Sequence, residues 1–163
     1  MKARLRWPPI SLVLTTSLAC SQGPTVPPAA SRAGVDPAVE LAGLVNRHRT
    51  ELGCPALVWH AKLAAVARAH SRDMATRRFF AHVNPDGASP FDRMREAGIR
   101  WQGGAAENLA LGQATARAVI DAWLLSEEHR SVLEDCTYTH HGVGVAEGRW
   151  THLFVTNPAG SAW

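Results

Sequence analysis

A chain of 163 residues, 46% hydrophobic and 19% charged, is long enough for one globular core and too short for two. Its formal charge of +3 is unevenly placed: of the 17 Lys and Arg, Lys2, Arg4 and Arg6 lie at the very start, and the other 14 equal the 14 Asp and Glu. A charge-balanced body carries no electrostatic footprint for nucleic acid, and that class of partner is set aside.

Residues 1–20 read as an export signal. Lys2, Arg4 and Arg6 form its positive start, and Ile10 to Ala19 form a short, mostly apolar stretch. That stretch falls short of the roughly 20 apolar residues a membrane-crossing helix needs, and no later segment reaches that length. The signal's end has two readings. Ser17-Leu18-Ala19 satisfies the small-x-small rule for an ordinary secretory cut. With Cys20 it also resembles a bacterial lipobox, in which the cysteine takes a lipid and becomes the new N-terminus. The usual branched aliphatic residue three before the cysteine is here Ser17. Of the three cysteines, Cys20 would otherwise be an unpaired thiol outside the cell, which favours lipidation. The membrane would then be touched only through this anchor. Residues 21–35, rich in Pro, Ser, Ala and Gly, read as a tether spanning on the order of 20 Å as a random coil. The folded domain is expected over 36–163.

Asp36-Pro37 is a helix start, with Asp36 as N-cap and Pro37 at the first helical position. Leu41, Leu44, Val45, His48 and Leu52 follow at helical spacing, and Gly53 ends the run. A second helix from about Lys62 carries Leu63, Val66, Ala67, His70 and Met74 on one face. Ser89-Pro90 opens a short third helix through Phe91, Met94 and Arg95 to Gly98. A fourth starts near Thr115, with Ala116, Val119, Ile120 and Trp123 as its stripe. Residues 107–111, between Gly104 and Gly112, alternate as a strand. Residues 142–146 and 149–155 read as a hairpin turning at Glu147-Gly148. Helices first and a hairpin last predict an α+β fold with an antiparallel or mixed sheet, not repeated βαβ units. Cys54 and Cys136 are the obvious pair in an oxidising compartment, the alternative being two buried free thiols.

Four strings stand in order: R-R-F-F-A-H-V-N-P-D-G at 77–87, A-E-N-L-A at 106–110, A-W-L-L-S-E-E-H-R at 122–130 and H-G-V-G-V-A at 141–146. Together they resemble the bacterial branch of the CAP superfamily (SCP-like domains), over roughly residues 38–157. The resemblance implies a three-layer α-β-α sandwich around a mainly antiparallel sheet. It also implies a cavity lined by two histidines and two acidic residues that in some members holds a divalent metal. By motif, the histidines are His82 and His129 and the first acid is Glu107. The second acid's position is occupied by Ser126, and neither Glu127 nor Glu128 matches it.

Two neutral imidazoles and a carboxylate can ligate Zn²⁺, or less typically Mg²⁺ or Ca²⁺, and the same groups can shuttle protons. Glu107 shares a strand face with Leu109 and Leu111, so a partner such as His82 or His129 is expected for its charge. A Glu–His pair can also simply pin a loop to a sheet. Ser126 reads as an N-cap, with Glu127 and Glu128 favouring the helix dipole. His48 and His70 read as satisfied core histidines, and His140 and His141 as loop residues beside a tight Gly142 turn. Trp59, Trp101, Trp123 and Trp150 read as core or pocket wall. No H-E-x-x-H or G-x-S-x-G occurs.

Two functions follow. One is a binding module at the cell envelope, lipid-anchored or secreted, for a small-molecule, lipid or cell-wall ligand or a divalent metal. The other is a metal-assisted or acid–base hydrolase of peptide or cell-wall material, with His82, Glu107 and His129 as its working groups.

Overall fold

The structure is a computed structural model that describes residues 34–156. Residues 1–33, which hold the expected export signal, Cys20 and most of the expected tether, lie outside the described residues, as do residues 157–163.

Helix α1 (Pro37–Glu51) begins where the sequence predicts, with Asp36 Oδ1 accepting from the Ala38 amide at 2.9 Å. Its buried face is Ala38, Leu41, Ala42, Val45 and Arg49, not the predicted stripe ending on His48 and Leu52. Leu52 is exposed, and His48 is half-buried beside Glu134 at 3.0 Å. The inward position falls to Arg49 because its guanidinium has carbonyls to meet there: those of Leu133, Asp135, Tyr138 and Pro55, at 2.8–3.3 Å. Strand β1 (Val58–Trp59) is too short to read from sequence. Helix α2 (Ala61–Thr76) buries Leu63, Val66, Ala67, His70 and Met74, the face its periodicity predicts. Helix α3 (Pro90–Glu96) starts with a capping box between Ser89 and Asp92. Strand β2 (Ala105–Leu111), α4 (Ala116–Leu125, N-cap Thr115), α5 (Glu127–Glu134), β3 (His140–Ala146) and β4 (Arg149–Val155) complete the order.

The sheet order is β1-β3-β4-β2; β3–β4 and β4–β2 are antiparallel and β1–β3 is parallel. The β3–β4 hairpin turns on Glu147 (φ 45°) and Gly148 (φ 71°), the two left-handed positions a tight hairpin requires. Helices α1, α4 and α5 cover one face, where Leu41, Val45, Val119, Ile120, Trp123, Val143 and Phe154 form the main core. Helices α2 and α3 cover the other, with Leu63, Ala67, Met94, Leu153 and Val155. The result is the expected α-β-α sandwich.

His140 and His141 lie within β3, and Gly142 is a strand residue instead of a turn. The reason is packing. A Cβ on Gly142 would sit 2.2 Å from the Ala64 amide nitrogen, and one on Gly144 would sit 2.0 Å from that of Arg68. The alternating glycines let the α2 backbone lie directly on β3, which also aims His141 into the opposite core. Cys54 and Cys136 are disulfide-bonded, with Cα atoms 5.1 Å apart, and join the end of α1 to the approach to β3.

Candidate functional site

The three residues carried by motif come from different elements. Glu107 stands on the edge strand β2, on the face it shares with α2 and α3. His82 lies in the long loop between those helices. His129 lies on α5, on the opposite layer. Strand β2 ties the layers together: the Asn108 side chain donates to the His129 carbonyl at 3.0 Å, and the Trp123 indole donates to the Leu109 carbonyl at 2.9 Å.

Glu107 keeps its carboxylate buried, with a side chain 1% exposed. As expected, His82 is a partner: its Nδ1 is 2.9 Å from Oε1. The carboxylate can only accept, so Nδ1 carries the hydrogen and Nε2 is left as an acceptor on a ring that is 54% exposed. The second partner, Arg93, has no counterpart in the sequence reading. Its guanidinium donates to Glu107 Oε2 at 2.7 Å, and also to the carbonyls of His82 at 2.8 Å and Ala88 at 3.0 Å. Arg93 therefore fixes both the acid and the loop that carries the histidine. Its only forewarning was a place on the inner side of the third helix, one residue before buried Met94.

His129 stacks on Trp123 (centroids 6.4 Å apart, planes at 16°), and its Nδ1 is 2.8 Å from the Ser126 hydroxyl. Ser126 is the N-cap residue of α5 by position, yet its hydroxyl serves this ring and not the helix amides. Burial holds the His129 pKa below its ordinary value; the Glu128 carboxylate opposes that shift, and the nearby His82 ring adds to it.

This donor set does not suit a divalent cation. Both Glu107 oxygens already accept hydrogen bonds, and a guanidinium stands 2.7 Å from one of them. Among the described residues, no three His, Cys, Asp or Glu side chains are grouped to hold a metal ion. The arrangement is instead a charge-compensated acid that orients an exposed imidazole.

The other histidines separate clearly. His70 is buried, with Nε2 3.0 Å from the Ala81 carbonyl, but its Nδ1 has no partner among the described residues, so it is only half satisfied. His141 and His152 are buried and paired, Nδ1 to Nε2 at 3.0 Å. Trp123 and Trp150 are core, whereas Trp59 is 40% exposed. Ser71 is buried and bonded to Thr151 and the Gly144 carbonyl.

Residues 42–157 match the profile of the cysteine-rich secretory protein family, CAP. An uncharacterised protein of Bacillus subtilis (strain 168), YkwD, is 40% identical over 114 residues, covering 69% of this chain and 44% of its own length. A second protein of that organism, the uncharacterised membrane protein YlbC, is 36% identical over 116 residues, covering 71% and 33%. The chain thus spans less than half the length of either relative. Among solved structures, an extracellular SCP-domain protein from Bacillus anthracis superposes with a TM-score of 0.71 at 32% identity, over 74% of this chain and 40% of that one. An outer surface protein of Borrelia burgdorferi shares the fold at a TM-score of 0.67 and 20% identity, over 75% of this chain and 93% of its own. With the sandwich, the disulfide and the His82–Glu107 pair on one scaffold, the chain belongs to the cysteine-rich secretory protein (CAP) family.

Proposed function

We propose that this is an exported CAP-domain protein, held at the cell envelope by a lipid on Cys20, whose His82–Glu107–His129 constellation binds a ligand through hydrogen bonds. The observation that carries the reading is the double use of Glu107. Its charge is met inside the protein by Arg93, and its remaining oxygen holds the His82 ring in one orientation. The site therefore presents imidazole edges without a net charge to attract an ion. Its ligand is a polar organic group carrying hydroxyls or amides: a small molecule, a lipid headgroup or a cell-wall fragment.

Envelope location draws support from the similar proteins, which include an extracellular, an outer surface and a membrane protein. Attachment through Cys20 rests on the lipobox-like run Ser17-Leu18-Ala19-Cys20; among the described residues no helix is long and apolar enough to cross a membrane.

One observation favours a second reading, an acid–base hydrolase. A buried carboxylate on His82 Nδ1–H leaves Nε2 able to take a proton from water, as in general-base catalysis. Among the described residues no activated nucleophile accompanies it: the Ser126 hydroxyl is bound to His129 Nδ1, and no carboxylate orients that ring from its other nitrogen.

The test is calorimetric titration of the full chain with soluble cell-wall fragments and with dispersed envelope lipids, beside His82→Ala, with the recovered fragments analysed by mass spectrometry. Binding lost in the variant, with fragments unchanged, supports the binding reading. Fragment cleavage that depends on His82 replaces it with the hydrolase. Saturable Zn²⁺ binding lost in His82→Ala would restore a metal site, and no binding of any probe would refute the proposal.

A further inference from the structure

A second concavity, of about 480 Å³, lies behind Arg93, between α2 and the segment from Arg77 to Ala97. Its walls include His70, Asp73, Arg77, Asp86, Arg93 and Glu96, and it shares only Arg93 with the His82–Glu107 pair. We propose that this cavity is a binding site for the amide edge of an extended, positively charged peptide.

Two buried polar atoms carry the argument. His70 is 1% exposed, and its Nε2 lies 3.0 Å from the Ala81 carbonyl oxygen. A carbonyl only accepts, so Nε2 holds the hydrogen and Nδ1 is a bare acceptor. That Nδ1 is buried with no partner among the described residues. Arg93 spends its two terminal nitrogens on Glu107, His82 and Ala88, and its Nε–H is likewise buried without a partner. One acceptor and one donor thus belong to side chains that line the same cavity. Unmet buried polar atoms are uncommon, because each forfeits the hydrogen bonds it would make in water.

Meeting both atoms takes one donor and one acceptor, which a hydroxyl or an amide supplies and a simple ion does not. A carboxylate would answer Arg93 but set its charge against the His70 lone pair. An ammonium would answer His70 and leave Arg93 unmet. One residue of an extended peptide presents its N–H and C=O on the same edge, as in a sheet ladder, and so offers a donor to His70 Nδ1 and an acceptor to Arg93 Nε–H together. The walls then set the sign of the ligand. Asp73 and Asp86 both pair with Arg77, while Glu96 has no ion-pair partner among the described residues. Arg93 is already matched by Glu107, so three carboxylates face one remaining guanidinium, and a basic side chain on the peptide is favoured.

The test uses the full chain, labelled with ¹⁵N, and a lysine capped at both ends by acetyl and methylamide groups. The expected result is a saturable shift of the His70 Nδ1 resonance that persists in His82→Ala. Capped alanine and the Asp73→Asn and Glu96→Gln variants with capped lysine should each bind about twofold to fivefold more weakly, the range for a solvent-exposed charge pair. A methyl glycoside, whose hydroxyls can also donate to Nδ1 but carry no charge, should bind no more tightly than capped alanine. An unmoved His70 resonance with capped lysine, an equal response to the glycoside, or a response lost in His82→Ala would each overturn the proposal.

Discussion

The buried histidine pair predicts that mild acid destabilises this fold. His141 on β3 and His152 on β4 are almost fully enclosed, joined Nδ1 to Nε2 at 3.0 Å, with His152 packed against Trp123 and Phe154. Burial pushes the His141 pKa down to about 4, and the Arg49 guanidinium and His140 push the same way. His152 is lowered well below its ordinary 6.5, first by burial and then by His141 and Arg49. No carboxylate contributes to either shift. Both rings are therefore neutral when folded, while the unfolded chain takes up protons below its ordinary pKa of 6.5. Stability is fully present above that value and is lost as pH falls from 6.5 towards about 4. At about 1.4 kcal/mol per unit, His141 alone removes about 2 kcal/mol between about pH 7 and about pH 5. That is a large share of the ~5–15 kcal/mol by which domains are stable. His60, His70, His129 and His140 are also lowered, so the pair must be isolated by difference. Urea unfolding followed by tryptophan fluorescence, at both pH values, would compare wild type with the double variant His141→Leu, His152→Leu. Wild type should lose at least about 2 kcal/mol more than the variant on acidification. Equal losses would refute the reasoning, as would imidazole ¹⁵N shifts showing either ring protonated at about pH 5.

Two further perturbations test the packing. Gly144→Ala places a methyl group 2.0 Å from the Arg68 amide nitrogen and 2.3 Å from its Cα, so α2 must lift from the sheet. A loss of about 3 kcal/mol or more in urea unfolding is expected, whereas Gly43→Ala, in the open on α1, should gain about 0.5–1 kcal/mol. Opening the Cys54–Cys136 bond releases a loop closed across 82 positions and should remove at most about 4–5 kcal/mol, or on the order of 10 °C in Tm. A melting curve indifferent to reductant would contradict that.

The helices and the hairpin were legible because their signals are local. Asp36-Pro37, Ser89-Pro90 and Thr115 are caps, and the α2 and α4 stripes follow a single period. Strand β1 was not legible, since two residues pairing in parallel with β3 leave no periodicity. The inward turn of Arg49 was hidden for a different reason: its partners are carbonyls 84 to 89 positions away, beyond any spacing rule. His140 and His141 read as loop residues because glycine beside them signals a turn. Here Gly142 and Gly144 instead make room for a helix backbone. At the site, Glu107 was legible through the family motif, and its need for a partner through strand alternation beside Leu109. Arg93 was not, because a single arginine on a short helix resembles any solvated charge until the fold brings it to the acid.

Arg93 also decides what kind of site this is. At the position where the resemblance leads one to expect a second acid, this chain has Ser126, whose hydroxyl lies 2.8 Å from His129 Nδ1 and adds no negative charge. The remaining acid is matched by a guanidinium at 2.7 Å, in a place where the carboxylate is 1% exposed and screening by water is weak. A cation entering there would meet Arg93 as well as Glu107, and its attraction to one would be offset by repulsion from the other. A neutral ligand with hydroxyl or amide groups meets no such penalty, because imidazole nitrogens both donate and accept. The same residue also lines the second cavity, so one guanidinium borders both candidate sites. Replacing Arg93 would thus disturb two kinds of binding together, whereas His82→Ala should disturb only one.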